Sequence, residues 1–139
     1  MSKYRFPFIL AAALCAVSLP AMAEGKMPLA EEAHINGQLV AGAAGDILRQ
    51  TCPTLKARML VVLSKLNALK NYARAQGYTE EEVKLFLKDR AQKDRVKAAA
   101  KGYLAAAGAV DGDVESYCRA GRAEIDKGTL VGSLLRSSE

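Results

Sequence analysis

The sequence predicts an all-α protein, a small four-helix domain that follows an N-terminal signal peptide and is stapled by one disulfide. Three observations carry that expectation. Apolar residues recur three and four apart over long segments, and no alternating or β-branched run suggests a strand. The first 23 residues have the layout of a secretory leader. Removing that leader leaves two cysteines, Cys52 and Cys118, to meet in an oxidising compartment.

The leader opens with Lys3 and Arg5, continues through an apolar run from Phe6 to Leu19, and closes with Pro20 and Ala21-Met22-Ala23. The small-x-small ending suits a signal peptidase, and the apolar run is shorter than the ~20 residues a membrane span needs. Cleavage near Ala23 makes residues 1–23 the signal peptide and residues 24–139 a single helical domain with an apolar C-terminal tail, destined for the periplasm or the exterior. Cys15 leaves with the leader; Leu14 before it disfavours lipidation, which wants a small residue there. Losing Lys3 and Arg5 lowers the basic count from 20 to 18 against 15 acidic residues, a mature net charge of about +3. No apolar run outside the leader approaches the length of a membrane span.

The two remaining thiols lie far apart in sequence, unlike the closely spaced pairs of redox centres, so a structural bridge is expected. On the chain-entropy description such a bridge contributes about 4 kcal/mol. That is a large share of the stability of a small domain with no Trp.

The first helix is expected from about Leu29 to Gln50, with Ile35, Leu39, Val40, Ile47 and Leu48 at helical spacing. Gly37, Ala41 and Gly45 share a face that would let a neighbour approach closely, and Gly37 leaves room for a break at Asn36-Gly37. Cys52-Pro53 should end this helix near Thr51 and start a second at Pro53 or Thr54. In the second, Leu55, Met59, Val62, Leu66, Leu69 and Ala73 form a stripe. Leu60, Val61 and Leu63 make its middle apolar nearly all round, as for a helix buried at the centre of a bundle. Gly77 supplies the stop.

Thr79-Glu80-Glu81-Glu82 matches a capping box opening a third helix to about Ala107. Val83, Phe86 and Leu87 would bury one end and Val96, Ala100, Tyr103 and Leu104 the other. Between them Lys88 to Arg95 is polar, with Asp89–Lys93 and Arg90–Asp94 at i,i+4 spacing, and should be solvated. The three glutamates could be read as a metal site, but nothing accompanies them, so capping is preferred. Gly108 and Asp111-Gly112-Asp113 mark a turn before a fourth helix from about Val114 to Lys127, with Val114, Tyr117, Cys118 and Ile125 on or near one face and Gly128 ending it. The tail Thr129 to Leu135 is more apolar than a free end needs, so it should pack back on the bundle, the alternative being an exposed segment that awaits a partner.

Chemistry is not legible. His34 is the only histidine and has no partners in the pattern around it, and no nucleophile elbow, zinc, P-loop, dinucleotide or haem-attachment motif occurs. Neither an enzyme nor a cofactor is expected; Met27, Met59 and His34 are too few as ligand candidates, and no metal site is expected. The charge pattern is more informative. Between Asp46 and Glu80 no acidic residue occurs, while Arg49, Lys56, Arg58, Lys65, Lys70 and Arg74 give the stretch a charge of +6. On a helical wheel Lys56, Lys70 and Arg74 flank one side of the second helix's stripe, and Arg58 and Lys65 the other. Solubilising helix faces are the plain account of such charges. The alternative is a face for an anionic partner, an acidic envelope protein or an anionic lipid surface. Nucleic acid is not expected in the compartment the leader implies.

Taken together, the leader, Gln50-Thr51-Cys52-Pro53, Thr79-Glu80-Glu81-Glu82, Ser116-Tyr117-Cys118 and Gly128-Thr129-Leu130-Val131-Gly132-Ser133-Leu134-Leu135 resemble an uncharacterised family of small exported helical bacterial proteins with one cysteine pair. The resemblance covers nearly the whole mature chain and implies no activity. A looser likeness, to periplasmic acid-stress chaperones, rests only on small size, helicity and one disulfide. Three functions are therefore expected as alternatives: an exported helical protein that binds or stabilises an envelope component, a stress chaperone, or a carrier of small apolar ligands or lipid.

Overall fold

In the computed structural model, residues 25–138 are described, so the leader and its cleavage site lie outside the described residues. Six helices and a two-stranded ribbon follow in chain order: α1 (Ala33–Thr51), β1 (Leu55–Ala57), α2 (Met59–Ala75), α3 (Glu80–Lys88), α4 (Arg90–Ala106), α5 (Val114–Lys127), α6 (Leu130–Ser133) and β2 (Leu135–Ser137). The molecule is mostly helical, but the four-helix expectation is corrected in three places.

The first correction is the start of the second helix. Residues expected to be helical from Pro53 onward instead turn and extend, and β1 pairs antiparallel with β2 in the register Leu55↔Ser137, Lys56↔Arg136 and Ala57↔Leu135. Leu55 is thereby sunk into the core, and the Arg58 amide donates to the Leu134 carbonyl at 2.8 Å. The pairing partner lies some eighty residues downstream, so no local preference announces it. The second correction is at Asp89, where the expected single third helix breaks. With φ −61° and ψ 127° Asp89 ends α3 and caps α4, its Oδ1 accepting from the Gln92 amide at 2.8 Å. The exposed polar run around it has no buried face to hold a straight helix against that cap. Asp89–Lys93 and Arg90–Asp94 form no ion pair among the described residues. The third concerns α2, whose only buried residue is Ala73; it is not the central helix of the bundle.

Other expectations hold. α1 is continuous through Asn36-Gly37 and ends at Thr51, although it begins at Ala33 because Glu32 caps it by accepting from the Ile35 amide. The Thr79–Glu82 capping box is complete, with both reciprocal bonds made. α5 has its expected bounds and stops at Gly128, which takes the left-handed conformation (φ 64°) that glycine adopts without strain. The tail does pack back: Val131, Gly132, Leu134 and Leu135 are buried.

Two apolar clusters result. The larger joins Leu48 of α1, Leu55 of β1, Leu104 of α4, Ala120 of α5, and Val131 and Leu135 of the tail, around the bridged Cys52 and Cys118. Those cysteines stand 5.1 Å apart at Cα and tie the end of α1 to α5, as expected. Packing here relies on small residues. A Cβ on Gly132 would lie 2.0 Å from the Glu124 backbone oxygen, so α6 meets α5 backbone to backbone. Of the expected small-residue stripe on α1, Ala41 is in the core and Gly45 meets Leu134 of the tail rather than a helix, while Gly37 faces open space. The smaller cluster is Ile35, Ala73 and Tyr78, where α2 leans on the start of α1.

Candidate functional site

The feature that asks for explanation is α2. Its inward seam is narrow: Ala73 is buried, and Val62, Leu69 and Tyr72 are half-buried toward α1. Val61 is half-buried too, whereas the other apolar side chains of the first two turns are exposed. Leu60 is 85% exposed, Met59 59%, Leu63 52% and Leu66 47%. At 100° per residue Leu66, Met59, Lys70 and Leu63 occupy neighbouring positions on the helix surface, and Leu60 borders them. The stripe expected to be buried is therefore split between a thin seam and a broad exposed face, with Met59 and Leu66 on the exposed side and Leu55 on β1 instead.

The cations expected beside this stripe are dispersed in an informative way. Lys65 and Lys70 project from α2 itself and are exposed. Lys56 lies on β1, directly across the ribbon from Arg136, and both are exposed. Like charges opposed in this way are unfavourable unless an anion relieves them. Arg58 precedes the first turn and reaches the Ser133 carbonyl at 3.4 Å. None of Lys56, Arg58, Lys65, Lys70 and Arg136 is ion-paired with a carboxylate among the described residues. Arg74 and Arg49 differ, since Arg74 pairs with Glu80 and Arg49 with Asp46 at 2.5 Å. The start of α2 has neither a side-chain cap nor an acidic residue in its first turn, so its positive end adds to the same field.

The acidic triplet is occupied by cations: Glu80 with Arg74, Glu81 with Lys84 at 4.0 Å, and Glu82 with Lys26 at 2.6 Å. The Lys26 ammonium, together with the Thr79 amide, holds the Glu82 carboxyl down at about 2. Among the described residues no group of three or more His, Cys, Asp or Glu could hold a metal. His34 is exposed and its ring lies 4.3 Å from that of Tyr72, whose hydroxyl donates to Glu32 at 2.9 Å. The bond to Glu32 raises the Tyr72 pKa.

One polar group escaped the sequence reading. Glu124, buried on α5, accepts from Tyr103 Oη of α4 at 2.6 Å and from the Thr129 hydroxyl. Its carboxylate raises the Tyr103 pKa. This arrangement fastens α4, α5 and the start of α6 together, and its partners are satisfied within the fold. One carboxylate among several charged residues of an amphipathic helix gives no sequence signal of burial.

Open grooves run along α1, one floored by Leu39 and Ala43 beneath Val62, Leu66 and Leu69 of α2, another between the same α1 face and Phe86, Leu87 and Val96. Among the described residues no helix is long and apolar enough to cross a membrane.

The chain so built is a small helical domain of a kind already grouped by sequence. It belongs to a family of unknown function, DUF5333, whose pattern matches residues 27–136. That span takes in every helix, the disulfide and the ribbon as far as Arg136. No curated protein and no solved structure matches the chain.

Proposed function

We propose that this is an exported, non-enzymatic helical protein that binds or stabilises another component of the cell envelope through the exposed face of α2. The observation that carries the reading is the coincidence of four exposed large apolar side chains on one helix with nearby cations, Lys56, Arg58, Lys65 and Lys70, that form no ion pair among the described residues. Leaving Leu60 and its neighbours in water forgoes roughly 1.5–3 kcal/mol for each side chain that could be fully buried, a cost that a partner would recover. The leader-like start supports export, and the buried disulfide supports an oxidising destination.

The test is crosslinking in intact cells, followed by identification of what is captured. A partner that is lost at high salt, and lost when Lys56, Lys65 and Lys70 are changed to Glu, is the expected result. Capture unaffected by both changes would refute a role for this face. A stress-chaperone reading draws on the same exposed leucines. It predicts suppression of client aggregation at low pH that Leu60→Asp abolishes, and it fails if no suppression is seen.

A further inference from the structure

We infer that the envelope component met by α2 is the headgroup region of an anionic lipid membrane, in which α2 lies parallel to the surface with Met59, Leu60, Leu63 and Leu66 dipped among the acyl-chain ends. This rests on the proposed binding role of α2 and gives it a definite partner.

Three observations select lipid over other occupants. Leu60 and Leu63 protrude from the outward side of a helix about 25 Å long, while Met59 and Leu66 stand at the rims of open grooves against α1, so no enclosed pocket receives the four side chains. A deformable interface accepts such a shape without a matching cavity, which is how interfacial amphipathic helices bind. Next, Lys70 stands between Met59 and Leu63, Ser64, Asn67 and Asn71 surround Leu60, and the sequence carries no carboxylate from residue 47 to residue 79, although Asp46 of α1 lines the grooves beside Met59 and Leu66. Phosphate headgroups therefore meet no carboxylate projecting from α2 itself. Finally, Lys56 and Arg136 stand opposed across the ribbon just before α2, beside Arg58. A sheet of phosphates relieves that like-charge pair. A second copy of the chain fits less well. Pairing α2 with its symmetry mate about a two-fold axis would bring Lys65, Lys70 and Arg58 of one copy toward those of the other, with no acid on the face to compensate.

The chain has no Trp, so a single introduced one reports on this face alone. The protein is purified from cells expressing the full chain. Leu60→Trp and, independently, Leu63→Trp are mixed with phosphatidylglycerol-containing vesicles and with phosphatidylcholine vesicles. A third probe, Val110→Trp, sits at an exposed site in the turn before α5. The expected result is a blue shift and quenching by brominated lipid for both α2 probes on anionic vesicles only, with Val110→Trp remaining solvated. Each of Lys56→Glu, Lys65→Glu and Lys70→Glu should weaken binding by at least about fivefold, and 1 M salt should release the protein. Four results would overturn the inference: no shift on anionic vesicles, equal shifts on neutral ones, equal shifts at Val110→Trp, or α2 probes already blue-shifted before lipid is added, which indicates a second copy covering them. If vesicle binding is absent while salt-sensitive capture of an acidic protein in cells persists, the lipid assignment falls and the binding role of α2 stands. If both are absent, both fall.

Discussion

Helices α2 and α5 reverse what their sequences advertise. α2 is the more apolar, 17 residues with leucines and valines on nearly every side, yet it buries one residue. α5 is heavily charged, 14 residues, yet buries five, including Glu124 and Gly121. The difference is one of anchoring. α5 is held by the disulfide at Cys118, by Tyr103 and Thr129 on Glu124, and by the backbone of α6 pressed against it at Gly132. α2 is held along a thin seam at Ala73, Leu69, Tyr72 and Val62, with Leu60 and Leu63 of its first turns left exposed. Apolar content thus marks where burial is wanted, not where the chain supplies it. On the reading proposed above, the apolar face that α2 leaves uncovered is the one offered to a partner.

The comparison can be broken most severely at the anchor. Replacing both Cys52 and Cys118 by Ala removes about 4 kcal/mol on the chain-entropy description. For a domain of this size that lowers the unfolding midpoint by roughly 15 °C, measurable by circular dichroism. A shift of only a degree or two would mean that α5 is held without its staple. A paired substitution sharpens the contrast next. Leu48→Ala, in the α5 core, should cost ~3 kcal/mol in denaturant unfolding. Leu60→Ala, on α2, should stay within about 0.5 kcal/mol. Equal losses would deny the asymmetry.

Gly132→Ala drives a methyl into the Glu124 carbonyl and should destabilise by ~1–3 kcal/mol, while Gly42→Ala, with open space beside it, should be neutral or slightly stabilising. The smallest expected effect is electrostatic. Glu82 is held at about 2, below its ordinary value near 4.5, so its contribution is complete above pH ~4.5 and fades as the pH falls toward 2. Being exposed, it is worth little in stability. Glu82→Gln should remove that part of the pH dependence, as followed by unfolding midpoints between pH 2 and 5, and leave the midpoint at pH 7 nearly unchanged.

What was legible in the chain was local. Pro53 after Cys52, the Thr79–Glu82 box, and Asp113 before and Gly128 after α5 are signals carried by neighbouring residues, and each marks a true boundary. The Asp89 break was written in the same alphabet, as an N-cap with Gln92 three residues on, but was masked by the helical spacing on either side. The ribbon was not legible, because Lys56 acquires its strand conformation from Arg136, and that pairing exists only once the tail has returned. For the same reason the five basic residues assigned to one face are divided: Lys65 and Lys70 are on α2, Lys56 is on β1, Arg58 lies at the junction, and Arg74 is engaged with Glu80. The exposure of Leu60 could not be read at all, since the wheel reports which side is apolar but not whether anything arrives to cover it.

Residue-resolved hydrogen exchange, with and without anionic vesicles, tests the account at its centre. In buffer the amides from Leu60 to Leu66 should exchange orders of magnitude faster than those from Cys118 to Glu124, because a helix with few tertiary contacts opens locally. On phosphatidylglycerol vesicles the α2 amides should slow at least tenfold while those of α5 do not change. Equal protection of the two helices in buffer, together with no slowing of α2 on vesicles, would contradict it.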